Sequence, residues 1–237
     1  MLVNDKFIFI SLPRCASSSF MLTCVRNGLT LNHANPDHDN QYYDLSLNND
    51  DLLETITHAH ERIIELKMRF GDSYDVIAIK RDKYDRFLSV WNFAVKISKK
   101  YGNDVYETMR NLTIDEILFF DPNRLLKSEI KKTTNEFLEK YGFTDKVDDY
   151  FKNILFIVWE PLSTWHNHDS NILWFDFNKL NELEDWVSSK IGKPFKLEIS
   201  NSSRDIKSEL KIDDHFIEKY DKIYSRFDSQ KDKKTLI

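Results

Sequence analysis

Along the first hundred residues, unbroken apolar runs alternate with segments whose apolar positions recur every three or four residues. Lys6-Phe-Ile-Phe-Ile-Ser-Leu12 and Tyr74-Asp-Val-Ile-Ala-Ile-Lys80 are rich in β-formers. Such runs predict strands buried on both faces, as in a parallel sheet. After the first run come small residues, Pro13 to Ser18. Ser19 to Asn27 then has helical spacing, and Gly28 is its stop. After the second run, Lys83 to Lys99 carries an apolar stripe of Phe87, Leu88, Trp91 and Val95 and predicts a strong helix.

The rest of the chain continues the alternation. Residues 32–50 are rich in Asn, Asp and His and predict an exposed loop. Asp50 to Phe70 is broadly helical, with a break near Thr57-His-Ala-His60. Two or three helices are expected within 103–152, strands at Ile154–Trp159 and Asn171–Phe175, and helices at Asn178–Ile191 and Asp213–Phe227. The tail from about residue 229, with Lys231 to Lys234, is expected to fray. The pattern predicts a single α/β domain over 1–237, with a parallel sheet flanked by helices on both faces.

Composition narrows the function classes. Residues are 41% hydrophobic and 31% charged, which suits a globular chain rather than a disordered one. A net charge of −5 disfavours general nucleic-acid binding, although a local basic pocket is compatible with it. Cys15 and Cys24 make no disulfide framework and fit a reducing compartment. The apolar stretch from Phe7 to Leu12 is too short for a membrane span or a secretory leader. A cytoplasmic protein that does not engage membranes is expected.

The first chemical constellation is Phe9-Ile-Ser-Leu-Pro-Arg-Cys-Ala-Ser-Ser-Ser-Phe20. Small residues between a strand and a helix let backbone N–H groups converge on an anion, and the helix N-terminus adds partial positive charge. Ser17, Ser18 and Ser19 supply hydroxyls, and Arg14 supplies a forked, fixed charge. The loop lacks the glycines and the Lys of an ATP-binding P-loop, and no partner for magnesium is evident. The plainer alternative is a helix capped by Ser17 or Ser18.

The second constellation is Val76-Ile-Ala-Ile-Lys-Arg-Asp-Lys-Tyr-Asp-Arg-Phe-Leu-Ser-Val-Trp91. Asp82 is placed to cap the helix that follows. Arg81 stands at the strand's carboxyl end, the usual ligand edge of an open α/β sheet. Arg86 and Ser89 share a helix face, and Arg81 and Ser89 are expected to converge on one phosphate. The alternative is a surface pair of Asp82 with Arg86 and a solvated Arg81.

Together the two segments resemble the sulfotransferases that use 3′-phosphoadenosine 5′-phosphosulfate (PAPS), especially their carbohydrate-acting branches. That family has a strand, a loop of the form P-[KR]-x-A-G-T-S or P-R-x-G-T-T, and a helix. Pro13-Arg-Cys-Ala-Ser-Ser-Ser19 stands in that place. It also has a strand ending in R-D-P-x-x-R-x-x-S, matched by Arg81-Asp-Lys-Tyr-Asp-Arg-Phe-Leu-Ser89. Ser17 replaces the loop glycine, and Lys83 replaces the proline. A fainter likeness covers Ile172–Leu180, Asn201-Ser-Ser-Arg204 and Ile223–Asp228.

The resemblance implies a P-loop-like sulfotransferase fold and in-line sulfuryl transfer without a metal. Arg14, Cys15, Ala16, Ser17, Ser18 and Ser19 would bind the 5′-phosphosulfate, with Arg14 neutralising charge on the leaving phosphate oxygen. Arg81 and Ser89 would hold the 3′-phosphate, with Ser203 and Arg204 in the same nucleotide-binding set. His60 is the first choice for the base that takes the acceptor's proton, His58 the second and Glu61 the third. The acceptor is expected to be a hydroxyl, by preference on a glycan.

Other readings remain open at this point. A magnesium-dependent phosphotransferase on a related sheet shares the strand–loop–helix, and a non-catalytic anion- or sugar-binding relative shares the fold. His58-x-His60 and His166-x-His168-Asp169 are loose metal-ligand patterns. Trp159–Trp165 would line an acceptor cleft or pack in the core. Lys96, Lys99, Lys100, Lys131 and Lys132 would line a basic groove or form solvated helix faces.

Overall fold

A tight hairpin opens the chain. Leu2–Val3 (β1) pairs antiparallel with Phe7–Ile10 (β2), Leu2 opposite Ile8 and Val3 opposite Phe7. Asn4 and Asp5 between them both have positive φ, 47° and 51°, the conformation that closes antiparallel hairpins and that Asn and Asp tolerate best. The computed structural model describes residues 1–39, 43–49, 51–52, 61–120, 127–167, 169, 171–198 and 208–229, and side chains as far as 225.

The chain divides into two units, the first being Met1–Arg81 with Trp165–Ser202. Its core is a five-stranded sheet, adding Leu31–Asn32 (β3), Asp75–Lys80 (β4) and Ile172–Asp176 (β5) in the order β3-β1-β2-β4-β5. β2, β4 and β5 run parallel, with Phe9 opposite Ile77 and Ile77 opposite Leu173. The sheet is therefore mixed, not wholly parallel as expected. β1 is two residues long, too short for a periodicity signal, and only the Asn4-Asp5 turn announces it.

The apolar run of β2 is buried at all four positions. Phe7 and Phe9 share one face by the two-residue period of a strand. Onto it Ser17–Arg26 (α1) lays Phe20, stacked on Phe9 with ring centroids 4.0 Å apart. Leu180–Ile191 (α9 in chain order) brings Trp186 within 5.1 Å of Phe7 and 5.9 Å of Phe175. Burying Phe20 stabilises this packing, and its truncation to Ala would cost about 3–5 kcal/mol. Ile63–Phe70 (α2) ends where expected, at Gly71 with φ 83°.

The second unit, Asp82–Thr164 with Ser203–Ile237, is helical in its described residues. Lys83–Ser98 (α3) is followed by Asn103–Asn111 (α4), Ile114–Ile117 (α5), Lys127–Lys140 (α6), Asp149–Trp159 (α7), Ser163–His166 (α8, at the boundary) and, after α9, Asp214–Ser229 (α10). Asp82 caps α3 as predicted, accepting from the N–H groups of Tyr84 and Asp85 at 3.0 Å each. Trp91, Phe137, Phe151, Trp159 and Phe216 fill its core.

The strand expected at Ile154–Trp159 is helix instead. Asp148 accepts the N–H of Phe151 at 3.0 Å and caps α7. Phe151, Ile154, Leu155, Val158 and Trp159 are buried at helical spacing, a pattern that a six-residue apolar run conceals. Among the described residues no helix is long and apolar enough to cross a membrane.

Candidate functional site

The loop between β2 and α1 is built around one carbonyl. Leu12 O accepts the N–H of Cys15 at 3.2 Å and the hydroxyl of Ser17 at 2.6 Å. The Cys15 thiol donates to Pro13 O at 3.7 Å. Between these contacts Arg14 and Ala16 take left-handed backbone, φ 61° and 58°. Each such residue other than glycine costs about 1–2 kcal/mol, and strain of this kind gathers at functional sites. The expected glycine position, Ser17, begins the helix; the sharp turns fall at Arg14 and Ala16.

Helix α1 therefore starts without the serine cap that the plainer reading foresaw. Its N-cap is Ala16, which makes no side-chain cap, and its first turn carries no acidic residue. The first N–H groups of any helix lack intrahelical acceptors. Here the partial positive charge of the helix end is not offset within its own turn. Of the three serine hydroxyls, that of Ser17 is engaged by Leu12 O; Ser17 and Ser19 are buried and Ser18 half-buried.

Arg81 enters from the next strand. β4 ends at Lys80, and the half-buried Arg81 side chain turns back so that Nη1 donates to Arg14 O at 3.3 Å. Its Cζ lies 4.7 Å from the ring centroid of Phe177, the first residue beyond β5. It is not the solvated residue of the alternative reading. Burial lowers the pKa of the Arg14 guanidinium, nearby Arg81 lowers it further, and Cys15 opposes the shift. Two basic residues, 67 positions apart, thus meet at the carboxyl ends of neighbouring parallel strands.

Arg86 and Ser89 are buried on α3, in the second unit. His58, His60, Ser203 and Arg204 lie outside the described residues, as does His168. Glu61, the third candidate base, sits in a buried charge cluster. Its carboxylate lies 3.0 Å from the Met1 amino group and 3.3 Å from His33 Nδ1, and accepts the N–H of Ala34. Burial opposes its ionisation, but His33 and the amino group outweigh this and hold its pKa at about 2. Such a carboxylate is a weak proton acceptor near neutral pH.

Asp169 pairs with Lys67 at 2.5 Å, and His166 stands edge-on to Trp174 with centroids 5.1 Å apart. Among the described residues no group of three or more His, Cys, Asp or Glu is arranged to hold a metal ion. Trp159 and Trp165 are both buried, and Trp159 Nε1 donates to Ile117 O at 3.1 Å. Lys96, Lys99, Lys100, Lys131 and Lys132 are exposed on helix and helix-end surfaces. A cavity of about 340 Å³ in the first unit is lined by Ile63, Ile64, Met68, Lys67 and Asp169, none of them from the Arg14 loop.

Phe177 is the site residue that sequence reasoning missed. Its contact with Arg81 follows from the β4–β5 register, which a single sequence does not display; a ring just past a strand end is the only signal. Comparison with protein-family models, curated proteins and solved structures finds no match to this chain.

Proposed function

We propose that this chain is a sulfotransferase that moves a sulfuryl group from PAPS to an acceptor hydroxyl, by preference on a carbohydrate. One observation carries the reading. Arg14 and Arg81 are brought together at the ligand edge of parallel strands, beside a helix end with neither side-chain cap nor acidic first turn. In a chain of net charge −5, that is a local concentration of positive charge suited to a phosphorylated ligand. The finer fold is read as the P-loop-like sulfotransferase sheet with helices on both faces.

The donor would be held at both of its anionic ends. The amides and hydroxyls of residues 16–19 would hold the 5′-phosphosulfate, and Arg14 would face the oxygen on which charge grows as the sulfur–oxygen bond breaks. Arg81 would hold the 3′-phosphate. The acceptor oxygen forms the new bond to sulfur, and its proton passes to a base, His60 before His58. The transfer is read as metal-free by resemblance, since the loop has no P-loop Lys-Ser and no evident magnesium partner.

Thermal shift with 3′-phosphoadenosine 5′-phosphate tests this. At a hundredfold excess over Kd the nucleotide stabilises its protein by about 2.7 kcal/mol, roughly 5–10 °C for a chain of this size. AMP should give a smaller shift, and ATP no magnesium-dependent one. A magnesium-dependent ATP shift larger than that of the bisphosphate would replace this reading with the phosphotransferase. Absence of any shift would remove it.

A further inference from the structure

Among the described residues, the guanidinium of Arg81 is held by a carbonyl and a ring, neither of which neutralises its charge. On one side is the carbonyl of Arg14, 3.3 Å from Nη1. On the other is the ring of Phe177, its centroid 4.7 Å from Cζ. The ring's place is fixed by backbone. Lys80 stands opposite Asp176 in the parallel β4–β5 ladder, and the N–H of Phe177 donates to Lys80 O at 2.8 Å. The residues that follow the two strands are thereby set side by side.

The carboxylate nearest in sequence to that ring is turned to another use. Asp176 Oδ1 accepts the N–H of Asn178 at 2.7 Å and closes its own turn. Among the described residues no carboxylate stands within ion-pair distance of Arg81. A carboxylate partner would fix the guanidinium but offset its charge. An aromatic face fixes the plane of the group and leaves its forked N–H edge and full charge for a ligand.

We propose that Phe177 is a positioning residue for phosphate recognition: its ring sets the plane in which Arg81 meets the 3′-phosphate of the nucleotide. This rests on the sulfotransferase reading. The ring acts through Arg81, so its loss should weaken binding only where Arg81 has a phosphate to hold.

The test is titration calorimetry of the full chain with 3′-phosphoadenosine 5′-phosphate and with AMP, which lacks the 3′-phosphate. The proteins are wild type, Phe177→Leu, Phe177→Tyr, Arg81→Ala and the Phe177→Leu/Arg81→Ala double variant. Phe177→Leu should bind the bisphosphate roughly five- to twenty-fold more weakly and AMP as wild type does. Phe177→Tyr should restore bisphosphate affinity to within about twofold, because the tyrosine ring offers the same face. The double variant should bind no more weakly than Arg81→Ala. Equal losses for both nucleotides would put the ring against the base and overturn the proposal. So would a Phe177→Leu loss that persists undiminished in the Arg81→Ala background, a tyrosine that fails to rescue, or no loss at all. Failure of wild type to bind the bisphosphate would overturn the sulfotransferase reading and this role with it; the other failures overturn this role alone.

Discussion

Among the described residues of the first unit, a buried charged cluster and a half-buried one are built on opposite plans. Around Glu61, a carboxylate meets the Met1 amino group and His33, and a backbone N–H completes the set. Around Arg14, one guanidinium lies near another, on a strained loop at the edge of the sheet. The first arrangement closes on itself. Burial depresses the pKa of the Met1 amino group, Glu61 raises it back in part, and the carboxylate itself is held firmly ionised. Both pKa values are lowered, which favours the charged carboxylate and disfavours the charged amine; the carboxylate's direction is the firmer, with the amino group and His33 both beside it. In the second, burial and nearby Arg81 both lower the pKa of the Arg14 guanidinium.

The comparison is broken most severely at Arg14. Arg14→Ala should lower turnover of labelled donor by at least about 100-fold, the scale of losing one preorganised donor to a developing oxyanion. Its thermal midpoint should stay level or rise, because a half-buried cation near Arg81 is removed. A midpoint that falls by several degrees would make Arg14 a structural residue. Next in size is Glu61→Gln, which should cost roughly 3 kcal/mol of stability, as when one partner of a buried pair is removed. The pH dependence has a definite sign. The folded pKa lies below the ordinary 4.5, so the stabilisation is complete above 4.5 and is lost as pH falls through about 2. Urea midpoints of wild type and variant should therefore converge on acidification from pH 6 to pH 2. A gap that stays constant over that range would show that the carboxylate charge is not what stabilises this region.

The smallest effect sharpens the contrast. Ala16→Gly should stabilise the chain by up to about 1 kcal/mol, since glycine adopts φ 58° without the steric cost to Ala but loses more backbone freedom on folding. Chemical denaturation measures it. Destabilisation by more than a few tenths of a kcal/mol would mean that the Ala16 methyl contributes packing that outweighs the strain.

Much of this was legible in the residues, and the exceptions have physical causes. The strands at 7–10 and 75–80 and the helices after them were readable because fully buried strands read as unbroken apolar runs, and because Asp82 and Gly28 mark helix ends. Ile154–Trp159 was misread because the evidence for its helix, the Asp148 cap and buried Phe151, lies outside the run. At the site, Arg14 and Arg81 were both singled out from their places at strand ends. The left-handed turns at Arg14 and Ala16 were not anticipated, since neither residue type advertises positive φ. Phe177 was invisible because its partner is chosen by sheet register, not by spacing along the chain.

The carbonyl of Leu12, which gathers both an amide and a hydroxyl, has a kinetic consequence. A loop tied to its helix through one of its own carbonyls has little left to rearrange when an anion arrives. Capture of an anion there should be governed by diffusion and electrostatic steering, slowing as ionic strength rises, with no separate closing step.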